Sequence, residues 1–438
     1  MALLTKAPRG TQDTLPGESY KLRSLENSLA ETAGNFGFRE IRTPVFEHTE
    51  LFMRGMGDTT DVVQKEMYTF NDNGNRSISL RPEGTAGTVR AFLEHGLFNE
   101  PLPQKYFYHT SCYRYEKPQA GRLREFHQFG VESLGTASPA ADAEIIALAR
   151  QIFDFYEVDD ISLEINSIGC PECRKNYHKA LIEYFTEKKT ELCETCLSRL
   201  ERNPMRILDC KSPVCSAIAA DAPVVLGFLC EECEDHFTKV RKHLDAMEIP
   251  YTVNPHIVRG LDYYTKTVFE FVSNSIGAQG TVCGGGRYDG LISELGGNPL
   301  PACGFGMGME RLMMLLEAQG KTLPAEPRIQ LYAAPASEEQ SYLASKIVND
   351  LRYEGISALT DLGSRSLKAQ MKYANKKNAL YTTVLGEDEV NKGVATVKNM
   401  DSGEQTTLSL ENFAEEFTRL TIQDMVAGIT GSFDGGIN

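Results

Sequence analysis

Leu22, Leu25 and Leu29 recur at helical spacing within residues 18 to 34, and Gly34 closes the run, so an amphipathic helix is predicted there. The pattern then changes. Gly37-Phe38-Arg39-Glu40-Ile41-Arg42-Thr43-Pro44 reads as an extended segment ended by proline, which suits a sheet edge or an interface. Between residues 65 and 90, Met67–Phe70 and Ser77–Leu80 flank the hairpin turn Asp72-Asn73-Gly74-Asn75. Arg81-Pro82-Glu83-Gly84-Thr85 then opens a helix, with Pro82 in the first turn and Glu83 near the positive end, where it can act equally as a cap or as a ligand. A helix is expected over 139–157, and alternating Ile161–Asn166 reads as a strand.

The chain between Phe107 and Glu132 carries the most specific pattern. Two extended runs surround the turn-rich linker Lys117-Pro118-Gln119-Ala120-Gly121-Arg122. Side chains alternate across a strand, so Arg114, Glu116, Arg124, Phe126, Gln128, Gly130 and Glu132 share one parity. Phe107, Tyr113, Phe129 and Val131 share the other. A solvated polar face is the ordinary outcome for such a hairpin. This face instead combines a planar cation, carboxylates, an amide and a ring, which is equipment for an anionic, aromatic, amine-bearing ligand.

Further on, Val268, Phe269 and Phe271 mark a strand preceded by Arg259 and the pair Tyr263-Tyr264. A buried arginine needs an anionic partner, either a phosphate or carboxylate ligand or a bridge to Asp262 or a distant glutamate. Thr281–Cys283 begins a strand leading into Gly284-Gly285-Gly286-Arg287-Tyr288-Asp289-Gly290, which matches neither a Walker loop nor a dinucleotide fingerprint. Gly304, Gly306 and Gly308 alternate along another strand, giving a flat base room beside Arg311, and a helix with Leu312, Leu315 and Leu316 follows. Beyond the linker-like Pro324–Pro327, a strand at Ile329–Tyr332, helices over 337–353 and 364–378, and a strand over 380–385 predict an α/β domain. Arg365, Lys368, Lys372 and Lys376 recur on one stripe of the second helix, an RNA contact or a solvated face. Residues 426–438 read as a flexible tail.

Composition adds bounds. The 438 residues are 41% hydrophobic and 24% charged, ordinary for globular protein and long enough for about three domains. No apolar run is long enough to span a membrane, and Lys6, Pro8 and Arg9 interrupt any signal core, so a cytoplasmic protein is expected. A net charge of −15 argues globally against nucleic acid, but recognition depends on local clusters. Eight of the eleven cysteines fall between residues 170 and 233, as Cys170/Cys173, Cys193/Cys196, Cys210/Cys215 and Cys230/Cys233. Three C-x-x-C pairs in reduced surroundings point to structural zinc in a mostly helical insertion, with redox chemistry and inert packing as alternatives.

Together these segments resemble the bacterial-type histidine–tRNA ligases, class II aminoacyl-tRNA synthetases, over essentially the whole chain. Gly37-Phe38-x-x-Ile41-x-x-Pro44 resembles the first class motif, which builds a dimer interface. Tyr113-Arg114-Tyr115-Glu116 with Arg122-x-x-x-Phe126 resembles the second, although Tyr113 replaces the commoner phenylalanine. Gly304-x-Gly306-x-Gly308-x-Glu310-Arg311 resembles the third. Arg259–Tyr264 and Gly285–Asp289 are similar to the two segments particular to the histidine enzymes.

The resemblance implies a catalytic domain over 1–325 with a six-stranded antiparallel sheet, interrupted by a cysteine-rich insertion at 170–245. An α/β anticodon-binding domain over 326–425 and the tail complete the chain. It implies ATP and Mg2+, L-histidine and tRNA(His) as ligands, a homodimer and no membrane. Arg114, Glu116, Phe126 and Arg311 would bind ATP. Among the catalytic residues, Arg259 would stabilise the pentacoordinate phosphorus. Arg114 would hold the α-phosphate and the reacting carboxylate, and Arg311 would cover one adenine face and reach the γ-phosphate. Glu83, Gly84, Thr85, Arg114, Gln128, Glu132, Arg259, Tyr263 and Tyr264 would bind histidine. Gln119 and Arg122 would meet the acceptor end of the tRNA. Three rivals compete: a non-catalytic regulatory paralogue serving histidine biosynthesis, a class II synthetase for another amino acid, and a zinc-dependent RNA-binding module.

Overall fold

A computed structural model describes residues 4–57, 60, 62–208, 210, 212–277 and 280–433, and the chain forms two compact units, Met1–Pro324 and Ala325–Asn438. In the first, an eight-stranded sheet runs in the order Arg39–Glu40, Gln104–Tyr113, Glu125–Leu134, Ala302–Gly308, Thr281–Arg287, Thr265–Val272, Ser162–Ser167, Thr252–Val253. The expected six-stranded antiparallel sheet is therefore corrected to a mixed sheet of eight. Its inner six strands are antiparallel. Arg39–Glu40 and Thr252–Val253 join the two edges in parallel. Parallel neighbours need long crossovers, and here the connections are residues 41–103 and 168–251. Arg39–Glu40 lies in the proline-ended segment that was expected at a sheet edge, whereas Thr252–Val253, with only two residues and no readable alternation, was not anticipated.

One face of this sheet packs under helices Glu18–Asn35, Pro139–Phe155, Glu231–Ala246 and Met309–Ala318. Leu25 and Leu29, Ile146 and Phe153, Phe237 and Leu244, and Leu312 and Leu316 meet Phe107, Phe129, Val131 and Phe271 in one core. The odd-parity residues of the hairpin thus anchor the sheet, and the even face is left for chemistry. The insertion is helical as expected, with helices Pro171–Glu187, Glu194–Arg202 and Pro213–Ala220. Its last helix, Glu231–Ala246, belongs to the core under the eight-stranded sheet through Phe237, Val240 and Leu244.

A buried charge pair ties this helical layer to the sheet. Arg287 is fully buried at the end of its strand and donates from Nε to both carboxylate oxygens of Asp142 at 3.2 and 3.1 Å. Burial pushes the Asp142 carboxyl up, but Arg287 and His236 together hold it below the usual carboxylate range. Removing one partner of a buried pair leaves an uncompensated charge, so Arg287→Ala should cost about 3–5 kcal/mol. Chemical denaturation would measure this, and a loss under ~1 kcal/mol would mean that the pair is not an anchor.

A three-stranded sheet, ordered Phe46–His48, Ser77–Leu80, Thr69–Asn71, carries the predicted hairpin, whose turn is held by Asp72 Oδ1 accepting from Gly74 and Arg76 N–H, each at 2.9 Å. The next helix is Thr85–Glu94, so Pro82 precedes it rather than filling its first turn. In the second unit, strands Ala358–Thr360, Leu331–Pro335, Tyr381–Leu385, Val394–Asn399 and Gln405–Ser409 form a mixed sheet with helices Glu338–Tyr353 and Leu367–Lys376. The expected tail is corrected in part, because helix Phe413–Phe433 runs through its first residues. Residues 434–438 lie outside the described residues.

Candidate active site

The two long strands of the hairpin pair along their full length, with Tyr113 opposite Glu125 and Gln104 opposite Leu134. This register sets even against even, so Cys112, Thr110, Tyr108 and Tyr106 lie opposite Phe126, Gln128, Gly130 and Glu132. The polar face is not solvated. Glu132 is 1% exposed, and it accepts from Tyr108 Oη at 3.0 Å and from Tyr288 Oη. Tyr263 and Tyr264 complete a phenol cluster, with ring centroids 4.7 Å apart and Tyr288 at 5.4 Å from Tyr263. Tyr108 and Tyr288 were not among the predicted site residues. The signal for Tyr108 was its even parity opposite Gly130, and Tyr288 stood inside the glycine-arginine segment.

Burial raises the Glu132 carboxyl to about 8, against hydrogen bonds from Tyr288, Thr85 and Tyr108 that pull it down. The folded chain therefore holds a proton there that the unfolded chain, with a carboxyl near ~4.3, releases. The contribution to stability is complete below that value. It is lost as pH rises toward about 8, because only the folded state must then ionise a buried acid. Ligand-free protein should lose denaturation midpoint between pH 5 and 8, and Glu132→Gln should flatten that part of the profile. Parallel profiles for the two proteins would contradict the assignment.

Glu83 is also buried, and its two oxygens accept from the backbone N–H groups of Thr85 and Ala86. The capping role is thus realised. Burial still raises its pKa over the lowering by those bonds and by Arg114, so a cationic group brought beside it would favour its ionised form. Gln128 Oε1 accepts from Gly84 N–H at 3.1 Å, which links the loop before this helix to the hairpin face.

Glycines make the packing feasible. A Cβ on Gly304 would overlap the Glu132 carboxylate and the Val131 carbonyl, and one on Gly306 would lie 2.5 Å from Gln128 Nε2. A Cβ on Gly284 would overlap the Arg259 guanidinium. The bare strand face expected to receive a flat base thus first makes room for the site's own side chains. Gly306 and Gly308 then line the open cavity beyond them.

That cavity gathers Arg114, Glu116, Arg122, Phe126, Gln128, Arg259 and Arg311 from three segments of the sequence. Arg114 donates from Nε to the Pro82 carbonyl at 2.9 Å, and its guanidinium lies 5.3 Å from the Phe126 ring centroid. Arg122 pairs with Glu116. Arg311 donates to the carbonyls of Thr281 at 2.7 Å and Gly121 at 3.2 Å. Burial, and then Arg122, pull the Arg311 guanidinium below its ordinary value, against the opposing pull of Glu116. Arg259 has an internal partner, Glu270, which also accepts from Thr281 Oγ1 at 2.8 Å. Gln119 bridges to Arg122 in the hairpin linker.

Two further groups of residues were predicted as sites. The eight clustered cysteines form two sets of four, Cys170, Cys173, Cys230 and Cys233, and Cys193, Cys196, Cys210 and Cys215. In each set the sulfurs lie within 4.8 Å of one another, close enough to hold a metal ion. In the second unit, the expected stripe of four cations is corrected to three. Lys368, Lys372 and Lys376 are exposed on helix Leu367–Lys376. Arg365 precedes that helix, bonding Asp361 at 2.7 Å and lying 4.4 Å from the Tyr373 ring centroid.

An antiparallel sheet core, a long hairpin with arginine and phenylalanine at its open end, and a glycine strand running into an arginine-bearing helix define a class II aminoacyl-tRNA synthetase fold. Residues 10–312 match the histidyl-tRNA synthetase family, and residues 330–420 match an anticodon binding domain. The chain is 53% identical over 409 residues to a histidine–tRNA ligase of Acetivibrio thermocellus, covering 93% of this chain and 98% of that one. It is 51% identical over 415 residues to one of Clostridioides difficile, covering 94% and 99%. The apo histidyl-tRNA synthetase of S. aureus has a similar structure, with a TM-score of 0.81 at 39% identity over 94% of this chain and 100% of that one. The chain belongs to the histidyl-tRNA synthetase family.

Proposed function

We propose that the protein ligates L-histidine to tRNA(His) through a histidyl-adenylate, releasing diphosphate and then AMP. What carries this reading is a single strand face. Phe126, Gln128 and Glu132 lie along it over roughly 20 Å, running from the arginine-lined cavity to a buried carboxylate ringed by phenols.

Imidazole offers one donor and one acceptor when neutral, and Glu132 with Tyr264 matches both. Glu83, Thr85 and Gln128 hold the ammonium, with Gly84 and Tyr263 shaping the same pocket. At the other end, Phe126 and Arg311 enclose the adenine, Glu116 supports that site, and Arg114 orients the α-phosphate beside the histidine carboxylate. That carboxylate attacks the α-phosphorus and the bond to the β-phosphate breaks. Arg259 and Arg114 offset the charge that grows on the phosphoryl oxygens. No protein nucleophile is required, so catalysis is positioning plus charge neutralisation. Magnesium enters with ATP as part of the substrate, and structural zinc belongs to the insertion rather than to the chemistry.

Gln119 and Arg122 meet the tRNA acceptor end, and Lys368, Lys372 and Lys376 contact the RNA through the anticodon-binding domain. The protein is a cytoplasmic homodimer joined in part through the Gly37–Pro44 segment. No helix among the described residues is long and apolar enough to cross a membrane. A regulatory paralogue is the weaker reading, because Arg114, Arg259, Arg311 and the C-terminal domain are all retained. Incubation with ATP, labelled histidine and a tRNA(His) transcript should yield charged tRNA. Absence of charging with folded, ATP-binding protein would favour the regulatory reading.

A further inference from the structure

The two cysteine sets differ in what they enclose. Cys170, Cys193 and Cys230 each stand at the N-cap of a helix, and Cys173, Cys196 and Cys233 lie in the first turns of those helices. Cys215 occupies the first turn of Pro213–Ala220. The sulfurs of Cys170 and Cys173 are 3.6 Å apart, and those of Cys193 and Cys210 are 3.9 Å apart. Tetrahedral zinc with Zn–S near ~2.3 Å separates its sulfurs by about 3.8 Å, whereas a disulfide would need about 2.05 Å. Backbone N–H groups add to each set: Cys230 N–H points to Cys173 Sγ at 3.1 Å, and Cys193 N–H to Cys215 Sγ at 3.3 Å. The pairing is nested. The outer set joins the two ends of the insertion, and the inner set closes on itself.

The chain between Cys196 and Cys210 reaches the histidine-specific loop. Asn203 Nδ2 donates to Asp262 Oδ1 at 3.2 Å, and Arg206 Nη2 donates to the Gly260 carbonyl and lies 3.4 Å from Asp262 Oδ1. Arg199 braces Arg206 by donating to its carbonyl at 2.9 Å. From the outer set, Arg174, next to Cys173, donates to the Tyr264 carbonyl at 3.0 Å. Leu200, Met205 and Ile207 share one core with Tyr263, Tyr264 and Tyr288. The helices Glu194–Arg202 and Pro213–Ala220 have nine and eight residues, too short to be stable alone. Something must hold them in place for Asn203 and Arg206 to reach the loop.

We infer that the insertion binds two zinc ions in these nested four-cysteine sites, and that the inner ion fixes the Asn203–Arg206 segment that holds Arg259–Tyr264 ready for histidine. The zinc sites stand on their own geometry, while the coupling rests on the histidine role proposed for the loop. Asn203 and Arg206 are positioning residues.

Elemental analysis of the full chain, purified without chelator, should find two zinc ions per chain; a content near zero overturns the proposal. Replacing the four outer cysteines together with serine should leave one ion. Loss of both would mean that the pairs combine in chain order instead, and would overturn the nested assignment. Arg206→Ala should keep both ions yet weaken histidine binding by about tenfold, with ATP binding changed by less than about twofold. Cys193→Ser/Cys210→Ser should weaken histidine binding similarly while losing one ion. If cysteine variants do not fold, stepwise chelation of the unaltered chain should weaken histidine binding and added zinc should restore it. Unchanged histidine affinity in the Arg206 variant or after chelation overturns the coupling. A zinc-loaded chain that binds no histidine would sink the histidine reading and the coupling with it, but not the zinc sites.

Discussion

Arg259→Ala should lower histidine-dependent ATP–pyrophosphate exchange by about a thousandfold while leaving histidine bound. The guanidinium lies in the cavity wall, cleared by Gly284 and held by Glu270, which is itself fixed by Thr281. A group so anchored costs little reorganisation when charge develops on the phosphorus, and that is the condition under which a donor contributes most to rate. Lysine should restore little, since a point charge cannot hold Glu270 and reach a phosphoryl oxygen with a planar fork. The variant loses charge from a partly buried pair, so its folding must be verified by denaturation before the rates are compared. Full exchange in a folded variant would remove Arg259 from the phosphate chemistry.

Glu132→Ala should reduce kcat/KM for histidine by about 10³–10⁴ and leave the KM for ATP nearly unchanged. The carboxyl group is enclosed by Tyr108 and Tyr288 and borders Gly304 so closely that no methyl fits between. Removing it leaves two buried hydroxyls without their acceptor and the imidazole without its partner. Sites that recognise a ligand through buried polar pairing discriminate steeply for this reason. Steady-state kinetics with varied histidine and varied ATP separates the two effects. A loss confined to ATP would place Glu132 on the wrong side of the site.

Much of this site could be read from residue order alone because a strand's period of two is rigid. Parity sorted Phe126, Gln128 and Glu132 onto one face and Phe129 and Val131 onto the other, and the register preserves that division. The same rule would have found Tyr108, but a tyrosine among apolar neighbours reads as core, and its hydroxyl matters only once Glu132 is seen against it. Fold features that depend on long-range contact were not legible. The edge strand Thr252–Val253 is defined by its partner rather than by any pattern of its own, whereas the proline-ended segment around Arg39–Glu40 did read as a sheet edge. Cysteine spacing pointed to candidate metal sites but not to which pairs meet, because the nesting is set by how the insertion's helices fold back on one another. Glu83 could be read both ways, and the structure uses it as a cap while burying it at the site. Arg365 fell off its stripe because the helix begins two residues later, at Leu367, and Asp361 claims its guanidinium.

The most direct test of the central claim is ATP–pyrophosphate exchange measured with each of the twenty amino acids in turn. Exchange with histidine alone is the predicted result, because the pairing proposed for Glu132 and Tyr264 requires an imidazole, which no other amino acid supplies. Exchange with a different amino acid, or with none by protein that binds both ATP and histidine, would contradict it.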